Sequence, residues 1–188
     1  MSIRAILTGC LRTTAFLATL FLGLAPLAPV TAMDGAAKCE WGETSLDDEE
    51  RAMLKLINEY RAKNGKPQLE VSVALTCASE WMAADMAKKD YFNHKDSLGR
   101  DPFKRMSALG YDHKTSRGEN IASGFRDAAT TFELWKNSRG HNATMLKASY
   151  RVIGISRVQD AATKVWYWTT DFGGFKDALM AETREETK

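Results

Sequence analysis

At 188 residues, with 26 Lys and Arg against 24 Asp and Glu, the chain is long enough for one domain with a hydrophobic core of its own, and it carries almost no net charge. Basic and acidic residues are interleaved along its whole length. That excludes a basic stripe of the kind that tracks a phosphate backbone, so no nucleic acid is expected as a partner.

The first 32 residues read as a secretory signal peptide. Arg4 and Arg12 give a positive start, Ala15 to Ala25 is an uncharged apolar run, and Pro26 and Pro29 interrupt it. Val30-Thr31-Ala32 then forms a small-residue cleavage site. The run is too short and too broken to span a bilayer comfortably. No transmembrane anchor is therefore expected after cleavage, and the mature chain, a monomer, is expected in the periplasm or secreted. Loss of Arg4 and Arg12 leaves 24 basic residues against 24 acidic ones. Cys10 lies inside the signal; Leu7-Thr8-Gly9-Cys10 looks like a lipobox, but the apolar run follows it instead of preceding it. Cys39 and Cys77 remain, an even pair in an oxidising compartment. Joined, they would close a loop worth about 4 kcal/mol and tie the mature N-terminus to a helix; two reduced, buried thiols are the alternative.

Residues 33–45 form a small-residue, polar lead-in. Ser45 opens a helix through a Ser-x-x-Asp cap followed by Asp47, Asp48, Glu49 and Glu50, which suit the positive end of the dipole. Met53, Ile57 and Tyr60 give it an apolar stripe, and Asn64-Gly65-Lys66-Pro67 stops it. After a connector over 69–73, a second helix runs from Ala74 to Lys89, with Leu75, Ala78, Met82 and Met86 at helical spacing. Its Met and Trp residues read as core. Tyr91-Phe92-Asn93-His94 follows, then a polar stretch with a turn at Gly99. Pro102 suits the first position of a short helix ending at Leu109-Gly110. His113 lies in a polar loop and reads as solvated.

Gly118-Glu119-Asn120 reads as a Gly-flanked bend. The next helix buries Ala128, Phe132 and Trp135, with Ser138 extending that face, and Gly140 is expected to end it just before His141. Residues 151–159 and 164–172 alternate as two strands around a loop of hairpin length, and the aromatics of the second pack across strands. A charged tail covers 176–188. Helices early and antiparallel strands late imply an α+β domain over 46–175, with helices packed on a sheet.

Two imidazoles and a carboxylate, each beside a turn-former or a large aromatic, are what a polar pocket in an apolar fold requires. Leu56-Ile57-Asn58-Glu59-Tyr60-Arg61, Tyr91-Phe92-Asn93-His94, Gly118-Glu119-Asn120-Ile121-Ala122, Trp135 to His141 and Trp168-Thr169-Thr170-Asp171-Phe172-Gly173 together resemble the CAP superfamily. This is the group of cysteine-rich secretory, antigen 5 and pathogenesis-related 1 proteins, here in its bacterial SCP-like branch. The resemblance covers about 46–174. It implies a three-layer α-β-α sandwich with a central antiparallel sheet and a cavity lined by His94, Glu119 and His141, with Ser138 at its edge. Ser138 stands where the eukaryotic pattern has a second glutamate, and Thr170 where the family often has glutamine. The first departure removes an anionic group from the cavity.

His94, Glu119 and His141 make a reasonable shell for Zn or another divalent metal, with one position open. Ser138 and His141 could also be read as nucleophile and base, but no third orienting carboxylate accompanies them. A hydrogen-bonded polar plug is the remaining structural reading. The expected function is an exported module that binds a small molecule, a lipid or an envelope component. A metal-dependent hydrolase of peptides or esters is the alternative.

Overall fold

The computed structural model describes residues 45–177. The signal segment, Cys39 and the charged tail from 178 onward lie outside the described residues.

Helix α1 spans Asp48–Lys63. Its cap is Asp47, two residues beyond the expected Ser45: the Asp47 carboxylate accepts from the Glu50 backbone N–H, and the Glu50 carboxylate accepts from the Asp47 N–H, both at 2.8 Å. A Glu at the third position reaches back to the cap where the Asp of the Ser45 pattern is one methylene shorter. Strand β1, Glu70–Val71, lies in the stretch read as a connector. Helix α2 runs Val73–Lys89 and α3 Pro102–Ala108, with proline in the first turn. Strand β2 covers Arg117–Ser123, so Gly118-Glu119-Asn120 belongs to a strand and not to a bend. Helices α4, Ala128–Asn137, and α5, Arg139–Met145, follow; β3, Val152–Gln159, and β4, Trp166–Gly173, complete the chain.

The sheet order is β1-β3-β4-β2. β3–β4 and β4–β2 are antiparallel, and β1 joins β3 in parallel. The expected antiparallel sheet therefore gains a short parallel edge. The other edge is β2. Helices α2 and α3 pack on one face, α1, α4 and α5 on the other, which gives the three layers.

The period-2 alternation of strands separates two kinds of interior. Toward α1 and α4 the sheet points Ala122, Ile153, Ile155, Trp168 and Phe172, which bury with Met53, Ile57, Phe132 and Trp135. Toward α2 it points Gly154, where a Cβ would lie about 2.0 Å from the Leu75 backbone. Only a residue without a side chain lets the helix lie this close. Cys77 is buried in α2 and is disulfide-bonded; its pairing with Cys39 is carried forward as a proposal. Among the described residues no helix is long and apolar enough to cross a membrane.

Candidate functional site

His94 stands in the loop between α2 and α3, and that loop is held at several points. Asp85 of α2 accepts from the Tyr91 hydroxyl, from the Ser97 N–H at 2.9 Å and from the Ser97 hydroxyl at 2.7 Å. Asp96 turns back on its own loop, accepting from the backbone N–H groups of Leu98 at 3.0 Å and Arg100 at 2.8 Å. Arg100 in turn lies 4.4 Å over the Trp81 ring. With the chain fixed on both sides, the His94 ring reaches β2: its Nδ1 is 2.7 Å from Glu119 Oε1. The His94 side chain is 54 % exposed and that of Glu119 only 2 %.

The second oxygen of Glu119 accepts from Arg105 of α3, whose side chain is wholly buried. The same guanidinium donates to the His94 carbonyl at 3.3 Å and lies 4.0 Å from the buried Asp96 carboxylate. Behind Glu119, directly opposite it on β4, sits Asp171. Its Oδ2 accepts from Ser79 Oγ at 3.1 Å, and its N–H donates to the same Oγ. Complete burial, then the neighbouring Glu119 charge, push the Asp171 carboxyl well above the usual carboxylate range. Burial behind the Glu119 carboxylate thus favours the protonated form of Asp171.

His141 approaches from the other layer. The helix ending at Ser138 breaks two residues earlier than the glycine implied. Ser138 has φ −96° and ψ 120° and serves as the C-terminal boundary of α4 and the N-terminal boundary of α5. Gly140 lies inside α5, so His141 occupies the first turn of a helix and does not follow a stop. Asn120 Nδ2 donates to the His141 carbonyl at 3.1 Å, and the Trp135 indole donates to the Ile121 carbonyl at 3.2 Å. These two bonds fasten α4 and α5 to the edge strand. Burial lowers the His141 pKa below the ordinary imidazole value, and the nearby His94 lowers it further, so the ring is neutral at pH 7. His141 Nδ1 is buried without a hydrogen-bond partner among the described residues.

Successive residues of an edge strand point to opposite faces, and that alternation gives Glu119 and Asn120 different tasks. Glu119 takes hold of the His94 ring on the α2 side, and Asn120 fixes the His141 backbone on the α4 side. Ser138 borders a shallow groove of about 440 Å³ with Phe125, Thr130, Glu133, Leu134 and Asn137. None of His94, Glu119 or His141 lines that groove. His113 is not simply solvated, for its ring packs 4.2 Å from Phe175 and edge-on to Tyr111.

The donor set defines what the pocket can hold. Among the described residues no three His, Cys, Asp or Glu are grouped to hold a metal ion. Each Glu119 oxygen has a hydrogen-bond partner, His94 Nδ1 on one side and Arg105 on the other. Neutral imidazole is a good ligand for zinc, copper or nickel. A carboxylate bonded to the remote nitrogen of a histidine is also the usual way such a ligand is oriented. Arg105, Asp96 and Asp171 carry this geometry; of the three only Asp171 stands in a stretch the sequence singled out, Trp168 to Gly173, and there without an assigned role. Two signals were available: Asp171 lies in phase with Tyr167 and Thr169 on an otherwise aromatic strand, and Arg105 sits beside Met106 in a short amphipathic helix.

Comparison with known proteins follows the same lines. An outer surface protein of Borrelia burgdorferi superposes with a TM-score of 0.63 at 21% identity, covering 71% of this chain and 97% of its own. An extracellular SCP-domain protein of Bacillus anthracis superposes with a TM-score of 0.60, also at 21% identity, over 69% of this chain and 44% of its own. Both show the fold. The uncharacterised protein YkwD of Bacillus subtilis is 30% identical over 131 residues, which are 70% of this chain and 49% of YkwD. The chain thus spans about half the length of that relative. The profile of the cysteine-rich secretory protein family matches residues 54–172, and the chain belongs to that family, the CAP proteins.

Proposed function

We propose that this chain is an exported CAP domain that binds a small molecule, lipid or envelope component at the β2 edge. In this reading His94 and His141 are the ligand-facing groups and can hold a divalent ion. One observation carries the reading: the 2.7 Å bond from His94 Nδ1 to Glu119. It spends one ring nitrogen on orientation and leaves Nε2 as a free donor atom on a half-exposed side chain, and burial favours the neutral form of His141. Glu119 then orients the ligand-binding histidine and does not itself ligate. A hydrolase at this site would need a general base, and Glu119 is committed to Arg105 and His94, so binding is favoured over catalysis. Ser138 contributes to the neighbouring groove.

Export is supported by the signal segment and by likeness to outer-surface and extracellular proteins. The test is native mass spectrometry of the mature protein recovered from outside the cytoplasm. A co-purified small molecule or metal, lost from a His94→Ala, His141→Ala double variant, is the expected result; a clean apo mass in both overturns the reading. The same spectra read the Cys39–Cys77 bridge. The chain should start at or near Met33 and lack two hydrogens relative to the reduced form, and two alkylatable thiols in native protein would exclude the bridge.

A further inference from the structure

We propose that the loop between α2 and α3 is a membrane-docking surface that seats the protein on a bilayer rich in anionic phospholipid. Among the described residues the exposed large apolar side chains are Phe92, Leu98, Phe103, Phe125, Leu134 and Phe175. Half of them lie in the stretch 92–103, and each of these is about half exposed. The backbone that carries them is fixed. Tyr91 and Ser97 both bond the Asp85 carboxylate, so Phe92 and Leu98, the next residues along, leave the same anchor. Arg105 ties α3 to this loop by donating to the His94 carbonyl at 3.3 Å. Arg105 itself is buried, whereas Phe103 and Lys104 of the same first turn are exposed.

The charges of this stretch are sorted by depth. Asp85 and Asp96 are buried and turned inward. Asp85 accepts from Tyr91 and Ser97 and pairs with Lys89; Asp96 accepts from Arg100 at 2.8 Å and lies 4.0 Å from Arg105. Asp101 caps α3, accepting from the Lys104 N–H at 2.8 Å. The charged residues that are exposed over 88–104 are Lys88, Lys89, Lys95 and Lys104 against Asp90 alone. Arg117 adds a cation 5.6 Å over the Phe103 ring. Phenylalanine and leucine among lysines suit the headgroup boundary. The apolar groups enter the acyl layer while the long amine stems reach back to the phosphates. Each lysine near an anionic surface adds attraction. A protein partner is the weaker match, because lysine is depleted from protein–protein interfaces. A backbone fixed before contact also lowers the ordering cost of docking. His94 stands between Phe92 and Lys95, so docking brings its Glu119-held ring to the headgroup layer. The docking itself does not depend on what the β2 edge binds.

The test is flotation of the purified mature protein with vesicles of phosphatidylglycerol and phosphatidylcholine in equal parts, against vesicles of phosphatidylcholine alone. The wild type should float with the anionic vesicles, stay behind with the neutral ones, and be released by about 0.5 M salt, which screens surface attraction. The pair Phe92→Ser, Leu98→Ser and the pair Lys95→Glu, Lys104→Glu should each lower the partition coefficient by about tenfold or more. The pair Phe125→Ser, Leu134→Ser alters exposed apolar groups on the α4 side and should float as the wild type does. All of these positions are exposed, so the variants should keep the wild-type melting temperature, which separates lost docking from lost folding. The pair His94→Ala, His141→Ala should also float, which keeps this result apart from the ligand test above. Failure of the wild type to float with anionic vesicles overturns the proposal and leaves a protein partner as the reading of the loop. Equal flotation with neutral vesicles overturns it too, as does undiminished flotation of both loop variants.

Discussion

Toward α1 and α4 the sheet presents Ile153, Ile155, Trp168 and Phe172, whereas toward α2 and α3 it presents Glu119, Ser156, Thr169 and Asp171 among fewer apolar groups. Both sides are buried, but the contributions differ in kind. The apolar side gains its stability from area removed from water and needs only the right volume and shape. The polar side gains little net stability, because each charge must be matched to repay its desolvation. What it supplies is position: Arg105 holds Glu119 and the His94 carbonyl beside Asp96, and Glu119 holds the His94 ring. The site grows from the polar side because a donor atom must be held in a fixed direction as well as at a fixed distance, and oily packing alone does not do that.

The largest effect should come from the apolar side. Trp168→Ala removes a wholly buried indole and its 2.8 Å bond to the Phe125 carbonyl, and urea unfolding should register a loss of about 3–5 kcal/mol. A loss under about 1 kcal/mol would put the weight of stability elsewhere. Arg105→Met should follow at about 3 kcal/mol, because it leaves the Glu119 carboxylate buried without its cation. Adding Glu119→Gln should recover most of that loss, and additive losses in the pair would mean that the two side chains are not coupled.

Asp171→Asn sharpens the contrast by its sign. The folded-state pKa of Asp171 is raised, so the native protein holds a proton that the unfolded chain gives up above about pH 3.9. Stability from this group is full below that pH and is lost as pH rises toward the folded value, by about 1.4 kcal/mol for each pH unit separating the folded and unfolded values. Asparagine imitates the protonated acid and does not titrate. The variant should match the wild type near about pH 3.5 and exceed it at neutral pH; equal stability at both would show that Asp171 ionises freely. Smallest of all, His94→Ala should change the unfolding free energy by only about 0.5 kcal/mol, since the ring is half exposed and builds no core.

Much of the apolar side was legible in the sequence, since period and composition encode it directly: Met53 and Ile57 on one helix, Phe132 and Trp135 on another, and the alternation through Trp168 to Phe172. The site was legible only as a set of residue types. His94, Glu119 and His141 stand at one strand edge, yet the elements around two of them differ from expectation. Glycine at 118 and 140 suggested a bend and a helix stop, but strand pairing with β4 and the break at Ser138 overrode both. Propensity is local, and these outcomes were decided by tertiary partners. Arg105 was invisible for a similar reason: a lone arginine in a seven-residue helix declares itself only when its buried acceptors are in place. Ser138, next to the His141 helix in sequence, opens onto a different groove.

The central claim is that the β2 edge binds through two oriented imidazoles, and isothermal titration calorimetry of Zn²⁺ into the mature protein at about pH 7.5 tests it most directly. The account predicts one equivalent bound, with binding abolished in His94→Ala and in His141→Ala, retained in Ser138→Ala, and weakened as the pH is lowered and the imidazoles take up protons. Absence of binding by the wild type, or binding that survives loss of both histidines, would contradict it.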